Sequence, residues 1–295
     1  MRRRRGHGGN QTDEFDGNLG DFFVPYVTEK GKFMLNVAIE AARKAGMFLK
    51  QNVGKVRQIQ QKAGQERNLV TEIDKRSEEL IIDCIKRHYP AHEILAEESG
   101  HAKSESEYRW IIDPLDGTTN FTHGLPVFCV SIAVERRGDL LCGVIYDPNL
   151  DELFTAERGK GALLNNRRIR VSGTDRLAGS LLVTGFPYNI AENPNHAVEH
   201  FVSFLMGAQA IRRMGSAAID LAYVAAGRYD GFWEVALNPW DMAAGALLVT
   251  EAGGKLTDFA GSQFGIYQKE IVASNGLVHE EMIGVLRNAA EGQQR

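Results

Sequence analysis

The sequence predicts an α/β or α+β sandwich in which helices and strands alternate in packed layers, and three patterns point there. Apolar residues recur at Leu35, Ala38, Ile39, Ala42, Ala45 and Leu49, the spacing of one buried helical face. Between Phe128 and Val171 short β-like runs are separated by turn signals, as in an antiparallel meander. Beyond it, strand patterns alternate with the segments SAAIDLAYVAAG and PWDMAAGALLVTEAGG, two helices with Gly227 and Gly253 at their expected C-terminal positions.

The first helix is expected from Leu35 to the Val53-Gly54 pair, and a second over 74–88 with Leu80, Ile81, Cys84 and Ile85 inward and Pro90 beyond its end. HEILAEESG reads as a short strand that breaks into an acidic turn, and RWII as another that feeds the motif DPLDGTT. VSIAVE, LLCGVIYD, ELFTAE and ALLNNRRIRV are the meander strands, punctuated by RRGD, DPNL and GKG. SLLVTGF is a strand, AVEHFVSFLMG a helix after Pro194, and RYDGFWEV a strand between the two glycine-ended helices. KLTDF, IVASN and a last helix from Leu277 complete the pattern. With no repeat and no flexible linker after residue 34, the chain reads as one domain over 34–295, with lobes at 34–175 and 176–295. Residues 1–33 are basic, then acidic, and glycine-rich, with little apolar periodicity; they are expected to form a solvated, poorly ordered extension. A nucleic-acid-binding arm is the alternative for that segment. Its arginines precede no hydrophobic stretch, so neither a secretory nor a twin-arginine signal fits.

A chain of 295 residues can bury a sizeable core, and a net charge of −4 gives no reason to expect nucleic acid or an anionic membrane as main partner. No apolar run approaches the length of a membrane span. Cys84, Cys129 and Cys142 are scattered singly, which reads as reduced, core or half-buried thiols in a cytoplasmic protein.

The chemistry concentrates in WIIDPLDGTTNF. Acids stand where apolar elements end: Glu97 and Glu98 after ILA, Asp113 and Asp116 after WII, and Asp241 at the start of a helix after Pro239. Hard carboxylate oxygens converging without a neighbouring basic residue suit Mg²⁺, which takes one or two carboxylates plus water and phosphate oxygens. Pro114 disfavours a helical conformation at Asp113, so a sharp turn is expected there, leaving the Leu115 carbonyl as a neutral ligand. The GTT that follows can open a helix whose unpaired amides and dipole would hold a phosphate dianion. Acids for metal and amides for phosphate suit metal-assisted phosphoryl transfer to water. The competing explanation, that an acid before a helix is only its N-cap, applies well to Asp116 alone and poorly to DPLDGTT, AEES and PWD together.

Those segments resemble the inositol monophosphatase family of Mg²⁺-dependent, lithium-sensitive phosphatases. AEES, WIIDPLDGTTNF and PWDMAAGALLVTEAGG look like its three signature segments, and NLVTEID and GSAAIDLAYVAAGRYDGFWE match it as well. The resemblance runs from Met34 to the last helix, is strongest to bacterial inositol-1-monophosphatases, and implies an αβαβα layered sandwich of the inositol monophosphatase/fructose-1,6-bisphosphatase kind. It implies that Glu97, Asp113 and the Leu115 carbonyl hold one Mg²⁺, and that Asp113, Asp116 and Asp241 hold a second, with Asp113 bridging. A third, weaker ion would lean on Glu97 and water. Thr118, supported by Asp74, would orient and help deprotonate the attacking water, and the amides of Gly117 and Thr118 would bind phosphate. Glu234, Asp116 and the Ala217 amide would contact hydroxyls of the leaving alcohol, a small phosphorylated polyol. Family members are often homodimers.

Several readings stay open beside this one. The same metal core would serve fructose-1,6-bisphosphatase, nucleotide 3′-phosphatase or histidinol-phosphatase activity, because fold and metal core do not settle substrate. A haloacid-dehalogenase-type aspartyl nucleophile needs its acids one residue apart, whereas Asp113 and Asp116 are separated by Pro114 and Leu115. A different class is a protein that binds a partner in transcription or RNA processing, as some bacterial relatives do. His196 and His200, four apart on a helix, could chelate zinc but lack the metalloprotease glutamate and read as surface residues. Asp74 can both cap its helix and support Thr118; Glu98 reads as a hydrogen-bonded or solvated neighbour. Trp233 should point away from Glu234 in a strand and fill core.

Overall fold

The computed structural model describes residues 29–55, 59–62 and 65–291. The expected extension over 1–33 therefore falls mostly outside the described residues, but helix α1 (Glu29–Asn52) already includes residues 29–33 and starts ahead of Leu35. Met34, Val37, Ala38, Ala41, Ala42, Ala45 and Leu49 are buried along one side of α1. The small alanines let it pack closely on α2 (Glu72–His88). Between these helices lies an antiparallel hairpin, β1 (Ile59–Lys62) and β2 (Gln65–Thr71), which the sequence reading did not anticipate. The run QIQQKAGQERN is too polar to show apolar alternation.

The meander expected from Phe128 onward is present as β6 (Cys129–Arg136), β7 (Asp139–Asp147), β8 (Glu152–Glu157), β9 (Gly161–Leu164) and β10 (Arg167–Arg168). These strands join β3 (Glu93–Ala96), β4 (Gly100–Ala102) and β5 (Tyr108–Asp116) in an eight-stranded sheet of order β10-β9-β8-β7-β6-β5-β3-β4. Only the β3–β5 pairing in this sheet is parallel. Trp110, Ile112, Val130, Ile132, Val134 and Val144 cluster beneath α1 and α2. Ile111, Ala133 and Ile145 belong to the cluster on the opposite face. Both faces being covered explains why these strands read as nearly continuous apolar runs.

A second sheet contains β11 (Leu181–Thr184), β12 (Ala210–Arg212), β13 (Gly231–Val235), β14 (Lys255–Thr257) and β15 (Glu270–Ser274), in the order β12-β11-β13-β15-β14. Helices α5 (Ala217–Ala225) and α6 (Pro239–Glu251) lie between the two sheets, while α4 (Ala197–Gly207) and α7 (His279–Glu291) cover the outer side of the second. A five-residue helix, α3 (Thr118–Thr122), follows β5. The layers thus run α1/α2, first sheet, α5/α6, second sheet, α4/α7: the αβαβα sandwich. Helices α5 and α6 are alanine-rich and buried almost all round, as a helix enclosed by two sheets must be. Where they cross, a Cβ on Gly245 would stand 2.5 Å from the Leu221 Cβ, so the central layer has no spare room.

Two expectations about the motif need correction. The chain does not turn sharply at Pro114. Strand β5 continues to Asp116, and its register against β6 slips between Asp113 and Asp116. A residue without an N–H is tolerated at such an irregularity because no ladder bond is required of it. The helix opened by GTT is only five residues long, so it offers free amides at its start but little accumulated dipole.

Replacing Gly245 by valine should destabilise the protein by about 1–3 kcal/mol through overpacking against Leu221. Urea unfolding should show a lower midpoint with an unchanged m-value; a wild-type midpoint would refute the tight crossing.

Candidate active site

The site forms where β5 ends and three helices begin. Asp113 is buried, and its Oδ1 accepts a hydrogen bond from the Leu115 amide at 3.0 Å. Asp116 is held by the start of α5: its Oδ2 accepts from Ser216 Oγ at 2.6 Å and from the Ala218 amide at 2.7 Å. Asp241 stands in the first turn of α6, where its Oδ2 accepts from the Asn238 amide at 2.7 Å. Each aspartate thus spends one oxygen on backbone or hydroxyl donors. That fixes its orientation and leaves the other oxygen for a ligand.

Glu97 follows β3, its amide bonded to the Ile112 carbonyl of β5. The parallel β3–β5 pairing places it beside the end of the motif strand. Burial raises the Asp113 carboxyl well above the usual carboxylate range, and the charges of Glu97, Asp116 and Asp241 raise it further. Asp241 is raised likewise, by burial first and then by Glu97, Asp116 and Glu234. The structure therefore brings Glu97, Asp113, Asp116 and Asp241 into one electrostatic cluster drawn from three distant segments. Among the described residues no three His, Cys, Asp or Glu side chains close into a ready-made metal cage. Mg²⁺ does not need one, since water, carbonyl and phosphate oxygens complete its shell. An acidic cluster of this kind fits that ion and does not resemble a zinc shell of sulfur and imidazole.

Thr118 Oγ1 lies 3.0 Å from Asp74 Oδ1 and 3.1 Å from the Leu115 carbonyl. Asp74 Oδ2 accepts from the Thr71 amide at 2.9 Å and from the Thr71 hydroxyl, completing a capping box for α2. Asp74 therefore does both jobs that its position allowed: it caps α2 and orients Thr118. Burial raises its carboxyl, with the Thr71 and Thr118 hydrogen bonds opposing that rise. Gly117 precedes α3 with φ 101°, and a Cβ there would sit 2.8 Å from the Val127 carbonyl. Only glycine fits this corner, and the amides of Gly117 and Thr118 stand at the start of α3, where N–H groups have no partner within the helix.

Glu234 of β13 is 9% exposed and borders the site from the second sheet. Its carboxyl is pushed up to about 8 by burial, with Arg213 opposing and Asp116 adding to the shift. Trp233 points the other way, into the core, where its ring centroid lies 4.1 Å from that of Phe204.

Several residues in the arrangement were not anticipated. The buried Glu78 accepts from the amides of Glu98 at 2.8 Å and Ser99 at 2.9 Å, clamping the acidic turn. Ser77 donates to the Pro114 carbonyl at 2.8 Å. Both lie on the same face of α2 as Asp74, so the i, i+3, i+4 spacing of three polar residues was the missed signal. Asn120 Nδ2 donates to the carbonyls of Val127 at 2.8 Å and Met214 at 2.9 Å, tying α3 to the approach to α5. Tyr188, 45% exposed, has its hydroxyl raised by partial burial and by the charges of Glu97, Asp241, Asp116 and Asp113, within whose electrostatic reach it lies. Asp220 is buried with Oδ1 lacking a partner among the described residues, and its carboxyl is raised by burial and by Glu234 and Asp116. No local motif announces these last two. His196 and His200 stand apart from the site, His200 packing edge-on to Phe259.

The family model described as Inositol monophosphatase family matches residues 31–291. The chain is 48% identical over 247 residues to Nus factor SuhB of Pseudomonas aeruginosa, covering 82% of this chain and 91% of that protein. It is 42% identical over 255 residues to inositol-1-monophosphatase of Mesorhizobium japonicum, covering 86% and 96%. The solved structure of inositol monophosphatase from Anabaena (Nostoc) superposes with a TM-score of 0.79 at 44% identity, covering 87% of this chain and 96% of that one.

A carboxyl whose pKa is higher in the folded than the unfolded chain favours folding while protonated in both, and opposes it once the pH passes the folded value. For Glu234, shifted from 4.5 to about 8, the contribution is complete below pH 4.5 and lost as pH rises through about 8. In chelator, the thermal midpoint should therefore fall across that interval, and Glu234→Gln should make the fall shallower. An identical slope in the variant would refute the burial of an ionisable Glu234.

Proposed function

Since the chain belongs to the inositol monophosphatase family, we propose that it is a Mg²⁺-dependent phosphomonoesterase that hydrolyses an inositol monophosphate to inositol and phosphate. The observation that carries this reading is the meeting of Glu97, Asp113, Asp116 and Asp241 beside the hydrogen-bonded Thr118–Asp74 pair. Glu97, Asp113 and the Leu115 carbonyl would hold one Mg²⁺; Asp113, Asp116 and Asp241 would hold a second, and a third, weaker ion would lean on Glu97. Bound there, such ions make water more acidic and neutralise charge on the phosphoryl and leaving oxygens.

The chain's own residues do the rest. The amides of Gly117 and Thr118 receive two phosphate oxygens. Thr118 Oγ1 accepts the proton of the attacking water as its own proton passes to Asp74 Oδ1, which burial makes readier to take it. The nucleophilic oxygen then attacks phosphorus in line, the bond to the alcohol oxygen breaks, and the departing alkoxide takes a proton from solvent water, to which Asp74 returns the one it received. No phosphoenzyme forms. Glu234, Asp116 and the neighbouring Ala217 amide contact the hydroxyls of the departing alcohol. The same reading carries a cytoplasmic setting, in keeping with three free, buried thiols, together with lithium sensitivity and a homodimeric state. Among the described residues no helix is long and apolar enough to cross a membrane.

A second reading, partner binding in transcription or RNA processing, is favoured by the relative named Nus factor SuhB. It does not exclude catalysis by the same chain.

Asp241→Asn keeps an acceptor for the Asn238 amide but removes a charge from the cluster. Its turnover should fall by roughly two orders of magnitude or more with an unfolding midpoint no lower than the parent's, whereas any partner binding should survive. Near-normal activity at saturating Mg²⁺ would remove Asp241 from the mechanism. Among inositol 1-phosphate, fructose 1,6-bisphosphate and adenosine 3′,5′-bisphosphate, the first should give the highest kcat/KM; preference for the nucleotide would overturn the substrate assignment.

A further inference from the structure

Glu234 reaches the site from the second sheet, and the way its carboxylate is seated has a visible cause. Strand β11 runs parallel to β13, with Thr184 paired to Trp233. The Thr184 hydroxyl donates to the Trp233 carbonyl at 2.6 Å and fixes the strand ends together. The next residue, Gly185, then lies directly against the side chain of Glu234. A Cβ on Gly185 would stand 2.2 Å from both carboxylate oxygens and 2.3 Å from the carboxyl carbon. Such distances are far inside contact, so any side chain at residue 185 and this seat for Glu234 exclude each other.

Gly185 is not one of the glycines with positive φ. Alanine can adopt its backbone conformation, and the space is what the position supplies. A displaced Glu234 has few other seats. It is only 9% exposed, and the carboxylates of Asp220 and Asp116 lie within electrostatic reach on neighbouring elements. Exposed Arg213 is the cation nearby, so the side chain would swing toward it, away from its present place.

We infer that Gly185 is a positioning residue for the leaving alcohol: by lacking a side chain it leaves Glu234 the room to present its carboxylate to the hydroxyls of a polyol. This rests on the polyol-phosphatase reading and deepens it. The bare position 185 selects for hydroxyl-rich alcohols through Glu234, while the phosphate and cation end of the site lies on other elements.

The test compares the parent, Gly185→Ala, Glu234→Ala and the double variant in Mg²⁺. The two substrates are inositol 1-phosphate and p-nitrophenyl phosphate, whose leaving group has no hydroxyls to recognise. In Gly185→Ala the ratio of kcat/KM values, polyol ester over aryl ester, should fall about tenfold to a hundredfold, the range for a hydrogen bond lost at a buried polar group. The double variant should be no worse in that ratio than Glu234→Ala alone, because both changes remove one contact. A crystal structure of Gly185→Ala should show the Glu234 carboxylate moved from its seat. An unchanged ratio, equal losses on both esters, or losses that multiply in the double variant would overturn the inference. A parent that hydrolyses the aryl ester but not inositol 1-phosphate would overturn the polyol reading and this inference together. A parent active on inositol 1-phosphate with an indifferent Gly185→Ala would overturn the inference alone.

Discussion

Four acidic side chains gathered around one buried aspartate, Asp113, repel one another, and holding them there is the constraint around which this structure is organised. Burial and the neighbouring acidic charges both act against the ionised forms of Asp113 and Asp241. The fold answers with backbone donors. Asp116 takes bonds from the start of α5, Asp241 from the start of α6, and the supporting Asp74 from the start of α2. Helix starts carry unsatisfied N–H groups and partial positive charge, so each carboxylate relieves its helix while the helix orients the carboxylate. Capping and site construction are here the same set of hydrogen bonds.

The supporting structure follows from that requirement. Glu78 clamps the acidic turn after β3, Ser77 holds the Pro114 carbonyl, and Asn120 ties α3 to the segment before α5. None of these needs to touch a reacting atom. Removing one would loosen an acid or an amide by a fraction of an ångström, which is enough to matter at a site built from directional contacts. The slip in β5 belongs to the same set of devices, since it redirects the chain between Asp113 and Asp116 without ending the strand.

The two sheets bring different residues together. Asp113 and Asp116 end a strand of the first sheet and Glu97 follows another, whereas Glu234 belongs to the second sheet and Gly185 to the loop after β11. The alanine-rich α5 and α6 allow the sheets to approach closely enough to share one cleft. Fold and family membership by themselves do not name the alcohol.

Much of this was legible in the order of residues. Helical spacing revealed α1 and α2, turn chemistry revealed the meander, and glycine at Gly227 and Gly253 marked the ends of α5 and α6, each with positive φ. These are local effects, fixed by neighbours in the chain. The acids of DPLDGTT, AEES and PWD were also visible as acids at element ends. What the sequence left open depends on contacts between distant segments. The polar β1–β2 hairpin, the clamp by Glu78, the strand that runs on through Pro114, and the placement of Tyr188 and Asp220 follow from packing. So does the need for a bare position at Gly185, since nothing in TGFPY tells that Glu234 will occupy its side-chain space. Local propensity and pattern choose the elements; only the close packing of two sheets about a shared helical layer decides which atoms have room to meet.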